Sequence, residues 1–156
     1  MSFNDLLSLS QNTTSSVQRP PEQLLISEGT VIAPKASGYS GAPKIWSDEQ
    51  IAAWKEGSYI YMQIAAVGRE ASPDALRSRD PAIPHVGASA LPPTPDAPVP
   101  RAMTKEEIME YIGFFGIATA NAVHKARFDG IEIHGANGVL VDEYGGSMEN
   151  RMMFPL

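Results

Sequence analysis

The sequence predicts an α/β fold, and three observations predict it. Two short apolar or β-branched runs, at residues 24–27 and 59–64, flank a helix start at Ser47, which is a strand, helix, strand outline. A capped helix beginning after Thr104 runs directly into a third extended segment at 130–134. That segment breaks into a glycine-bounded turn with polar side chains, at the kind of strand end where parallel α/β folds place their chemistry.

Composition bounds the function classes. A chain of 156 residues is long enough to bury roughly two thirds of its unfolded surface, and one domain is expected. It holds no Cys, which removes disulfide scaffolds, thiolate metal sites and thiol nucleophiles together. Twelve Lys and Arg against 18 Asp and Glu give a net charge of −6, which argues against a nucleic-acid partner. No apolar run is long enough to span a bilayer, and Met1-Ser2-Phe3-Asn4-Asp5 lacks the basic start of a signal peptide, so a cytoplasmic chain with no membrane partner is expected.

Each element has a local reason. Residues 1–22 are rich in Ser, Thr, Asn and Gln and read as a flexible leader. Leu24-Leu25-Ile26-Ser27 is the near-continuous apolar run of a strand covered on both faces, and a loop with Gly29, Pro34, Gly38, Gly41 and Pro43 follows. Ser47 with Gln50 forms a capping box for a brief helix that reaches Lys55-Glu56. The next strand, 59–64, is aromatic and β-branched. Eight prolines between Pro73 and Pro100 predict a long loop without regular elements. Thr104 and Glu107 form a second capping box, and Ile108, Tyr111, Ile112, Phe115, Ala118, Ala122 and Val123 make an apolar face through about Ala126. After the strand at 130–134, the segment 142–151 reads as a turn leading into a new helix.

Several residues could carry chemistry, and each has a plainer reading. His134 and Asn137 flank Gly135-Ala136, so both can face one cavity and offer two hydrogen-bond donors to a carbonyl oxygen or a flavin pyrimidine edge. In isolation, a His and an Asn satisfying their own turn is the stronger reading. Gln63 is a strand amide that needs a partner, either a cofactor amide edge or a neighbouring loop. Gly29 would let a flat ligand approach the backbone, or is simply a loop glycine. His85 and His124 read as surface residues, and Glu106-Glu107 and Asp142-Glu143 as charges at helix starts. The chain has no GxGxxG after a strand, no P-loop, no HExxH and no GxSxG, and no metal site is expected.

Taken together, Leu25-Ile26-Ser27-Glu28-Gly29-Thr30, Gly41-Ala42-Pro43-Lys44-Ile45-Trp46-Ser47-Asp48-Glu49-Gln50, Phe128-Asp129-Gly130-Ile131-Glu132-Ile133-His134-Gly135-Ala136-Asn137-Gly138 and Glu143-Tyr144-Gly145-Gly146-Ser147-Met148-Glu149-Asn150-Arg151 resemble the old yellow enzyme family of FMN-dependent NAD(P)H oxidoreductases, in its fungal style. The resemblance covers most of residues 22–154. It implies a (β/α)₈ barrel, of which 23–156 would be an incomplete domain, roughly the N-terminal half. It also implies FMN as cofactor, NAD(P)H as reductant, and hydride transfer to the β-carbon of an enone or enal, in secondary metabolism among other settings. Under it Gly29, Gln63 and His134 would contact the flavin, and His134 with Asn137 would bind the substrate carbonyl.

The departures from the family pattern are specific. Val139 stands where the family has its proton-donating Tyr, Ile64-Ala65-Ala66 replaces Leu-Trp-His after Gln63, and Arg127 replaces a helix-ending Gly at an expected cost of ~1 kcal/mol. Against the family, the chain also lacks a first barrel strand, most of a helix after Lys55, part of the loop after Leu140 and the whole second half with its phosphate site. The resemblance therefore supports two alternatives: an ene-reductase, or a truncated, inactive relative with at most a binding role.

Overall fold

The computed structural model describes residues 25–39, 41–53 and 60–146. The leader expected over 1–22, the helix end at Lys55-Glu56 and the segment 147–156 lie outside them.

A parallel sheet forms the centre. The strands are β1 (Leu25–Ile26), β2 (Thr30–Val31), β3 (Ile60–Ala65) and β6 (Gly130–Ile133), and all pair in parallel with β3. Tyr61 pairs with Ile26 and Gly130, and Ile64 with Thr30 and Ile133, so β1 and β2 share one edge of β3 and β6 takes the other. Between β1 and β2 the register slips by one residue, from Ile26 opposite Tyr61 to Thr30 opposite Ile64. Ser27 bridges the slip, its Oγ accepting from the Gln63 N–H at 3.1 Å. β2 lies where a plain loop was expected, because the glycine and prolines around it hide a two-residue strand.

The two faces of β3 differ. Met62 and Ile64 are fully buried and join Ile32, Ile45, Tyr111, Ala118, Ala122 and Phe128 in the main core. On the other face Tyr61 is 37% exposed beside Ile26 at 48%, so that face carries apolar side chains without a cover among the described residues. Gly130 is required there: a Cβ would lie 2.7 Å from Cζ of the Tyr61 ring.

Both capping boxes form. In α1 (Asp48–Ala53) the Gln50 N–H donates to Ser47 Oγ and the Ser47 N–H to Gln50 Oε1. In α3 (Lys105–Ala120) Thr104 and Glu107 do the same, and Glu107 also takes a forked pair from Arg101 at 2.6 and 3.0 Å. That Arg101 pair, with the Thr104 N–H, holds the Glu107 carboxyl down to about 2 from an ordinary 4.5. A lowered folded-state value contributes stability above the ordinary carboxylate range and loses it as pH falls toward 2. Acid titration of thermal melting should therefore show wild type losing stability between about pH 4.5 and pH 2 relative to Glu107→Gln.

The apolar face of α3 is only half covered. Tyr111, Ala118 and Ala122 are buried, whereas Ile112 is 57% exposed and borders an apolar cleft shared with Leu140 and Tyr144. α3 passes into a π-helical turn (Asn121–Lys125), with the buried Asn121 amide donating to Ile45 O at 3.0 Å. Arg127 then adopts φ 67°, the left-handed conformation that favours glycine. Arg127→Gly is expected to stabilise the chain by about 1 kcal/mol in urea unfolding.

The proline-rich stretch is more ordered than expected. Ser72 caps α2 (Pro73–Arg79), with proline at the first helical position where its missing N–H costs nothing. β4 (Val86–Gly87) pairs in parallel with β5 (Arg101–Ala102). His85, expected at the surface, is half-buried, with Nε2 3.1 Å from Arg69 O. The expected turn at 142–151 is also corrected over its described part: α4 (Leu140–Gly146) is already helical there.

Candidate active site

The site is built from the carboxyl-terminal part of the sheet. β3 presents Gln63 on the face opposite Met62 and Ile64, and β6 leads into His134, whose N–H donates to Ile64 O at 2.9 Å. Gly29 sits in the register slip between β1 and β2. A Cβ at Gly29 would lie 3.4 Å from Gln63 Oε1 and 4.0 Å from His134 Cδ2. Three of the four residues singled out in the sequence therefore meet at one place. The glycine leaves bare backbone there, beside one amide oxygen and one imidazole edge.

The Gln63 amide has a protein partner on the neighbouring strand rather than in a loop. Its Nε2 donates to Glu132 Oε1 at 2.6 Å across the β3–β6 ladder, where the two residues are direct neighbours. The role of Glu132 depends on strand register, which no local sequence pattern reveals.

Asn137 is exposed, and it is not among the atoms within 4 Å of a Cβ at Gly29. The turn carrying it has two consecutive left-handed residues, Asn137 at φ 59° and Gly138 at φ 77°. Asn and Gly are the residues that tolerate this conformation best. The Gly138 N–H donates to Asp142 Oδ2 at 2.9 Å, so α4 fixes the turn. Val139, at the end of the turn, is buried at 7% exposure.

Glu143 stands in the first turn of α4, as expected, but it is buried rather than a surface charge. It is 1% exposed, and its two oxygens accept from the Arg69 N–H and the Ala88 N–H, each at 2.7 Å. Gly68, at φ 64°, and Gly87 make room for it, since a Cβ at either position would strike its carboxylate. Burial pushes its carboxyl above the ordinary range, against the lowering effect of the two N–H donors. Its partners are loop N–H groups distant in sequence, which no local pattern reveals. Among the described residues there is no group of three or more His, Asp or Glu able to hold a metal ion, and no helix long and apolar enough to cross a membrane.

The NADH:flavin oxidoreductase / NADH oxidase family matches residues 15–156. The chain belongs to that family. Among curated relatives, chanoclavine-I aldehyde reductase fgaOx3 of Penicillium roqueforti is 44% identical over 156 residues, covering 87% of this chain and 42% of the relative. A protein named "Probable inactive reductase easA" from Epichloe festucae var. lolii is 43% identical, covering 87% and 40%. The solved Old Yellow Enzyme from Pichia sp. AKU4542 superimposes with a TM-score of 0.76 at 31% identity, over 98% of this chain and 45% of that one. The chain thus spans about two-fifths of the length of these curated relatives, and its parallel sheet is part of an old yellow enzyme α/β barrel.

Proposed function

We propose that this chain is the flavin-facing portion of an FMN-dependent NAD(P)H oxidoreductase that reduces the C=C bond of α,β-unsaturated carbonyl compounds. The observation that carries the reading is the convergence of Gly29, Gln63 and His134 beside bare backbone at the ends of neighbouring parallel strands. Those groups suit the pyrimidine edge of a flavin: a flat ring needs the missing Cβ at Gly29, and its polar edge needs the amide and imidazole. FMN, when bound, would supply hydride chemistry. The protein's part is to hold the ring through Gly29 and Gln63 and to receive a substrate carbonyl oxygen at His134 and Asn137. Donors there stabilise the negative charge that develops on that oxygen.

Val139 favours a second reading for part of this function. A valine gives no proton, so the turn offers no side-chain acid at that position, and binding without efficient turnover is the alternative. The presence of a relative named as inactive is consistent with this.

Titration of the purified chain with FMN, followed by quenching of flavin fluorescence, tests the reading. Wild type should quench FMN saturably. Gly29→Val, which adds a branched side chain between Gln63 and His134, should weaken binding by about tenfold or more with little change in the melting curve. Absence of quenching in wild type would overturn the flavin assignment for this chain.

A further inference from the structure

We infer that Glu132 is a positioning residue for the flavin contact, because it determines which end of the Gln63 amide faces the ligand. The inference rests on the flavin reading above. An amide side chain has two chemically opposite ends, a carbonyl oxygen that accepts and an NH₂ that donates, and in an open site either end can turn toward a ligand. At Gln63 one end is committed. Glu132 stands directly opposite on β6 and takes a hydrogen from Nε2 at 2.6 Å. A carboxylate only accepts, so the NH₂ must point at Glu132. The oxygen is left toward Gly29, 3.4 Å from where a Cβ would be.

The consequence is a specificity for donors. A ligand edge lying over Gly29 meets an acceptor at Gln63, and a ligand group that only accepts would face an amide oxygen with nothing to share. The oxidised isoalloxazine ring carries one N–H, at N3 of its pyrimidine edge, between two carbonyls. With Glu132 in place, the Gln63 oxygen is suited to that N–H. With the amide reversed, NH₂ would face a donor and the contact would be lost. Glu132 acts through Gln63 and touches neither ring nor substrate.

A chemical cycle separates this role from general support of the sheet. Wild type, Glu132→Gln and Glu132→Lys are each titrated with FMN and with N3-methyl-FMN, using flavin fluorescence quenching, and each protein is first checked for a cooperative thermal transition. Methylation removes the N–H and adds bulk, and the bulk acts on all three proteins alike. Wild type should bind N3-methyl-FMN about tenfold or more weakly than FMN, the size expected when a buried acceptor loses its donor. In Glu132→Lys the lysine donates, Gln63 turns its oxygen away, FMN binds more weakly, and the methylation penalty should shrink to about threefold or less. Glu132→Gln can either donate or accept, and its penalty should fall between the two. It also decides the matter if the lysine variant does not fold.

An equal methylation penalty in wild type and the folded variants would overturn the role of Glu132 and leave the flavin reading standing. No quenching of FMN by wild type would overturn both. A penalty that shrinks in step with the loss of the acceptor supports the assignment, since weakening of the sheet alone would weaken both ligands by the same factor.

Discussion

Glu143→Ala is expected to lower the free energy of unfolding by about 2–4 kcal/mol, measured by urea denaturation at neutral pH. The carboxylate is the acceptor for two backbone N–H groups from separate loops, Arg69 and Ala88. Truncation leaves both donors in a buried space that Gly68 and Gly87 keep open. Unsatisfied buried donors cost about 1–3 kcal/mol each, partly offset because a desolvated charge is removed as well. Glu143→Gln separates these effects. Its single carbonyl oxygen can serve one N–H well, so a smaller loss is expected, and it cannot titrate.

The pH dependence of that pair has a definite sign. Burial raises the Glu143 carboxyl in the folded chain above its unfolded value. A raised folded value contributes stability that is complete below the unfolded carboxylate range, about 4.3, and is lost as pH rises through the folded value. Wild type should therefore lose stability relative to Glu143→Gln as pH rises from about 4 toward neutrality. Glu107 runs the other way, losing its contribution as pH falls toward 2. A wild-type-to-Gln difference at Glu143 that stays flat with pH would show that the two N–H donors fully offset burial.

Val139→Tyr, which introduces the residue that the resemblance implies at this position, is expected to destabilise the chain by about 1–3 kcal/mol and to give no exposed phenol. The side chain at 139 is buried at 7% exposure, in a turn held by Gly138 to Asp142 and by α4. A ring placed there overpacks the site unless the turn opens. Ultraviolet titration reads the outcome directly, because a phenol in the open site would ionise near the ordinary tyrosine value, about 10, whereas a buried one is pushed higher. Unchanged stability with an ordinary phenol would mean that the turn readily presents position 139 to the site.

Much of the local structure was legible in the residues. Ser47 with Gln50 and Thr104 with Glu107 announced their helices through pairs three residues apart, and both boxes form. Arg127 in place of a helix-ending glycine foretold the left-handed residue found at φ 67°. Ser72-Pro73-Asp74 carried an equally good helix start that the surrounding prolines obscured, since the same residue breaks a helix inside it and suits its first turn. The meeting of Gly29, Gln63 and His134 was foreshadowed by motif, but only strand pairing gave it geometry.

What the sequence determined by itself was the α/β class, the two capping boxes, the glycine-bounded turn after His134 and the family, because these depend on groups a few residues apart or on motif order. The tertiary structure alone decided that Gln63 is paired with Glu132 and that Glu143 is a buried fastener. Those partners lie 69 and 74 residues away, and in a parallel sheet one residue of register determines which side chains meet.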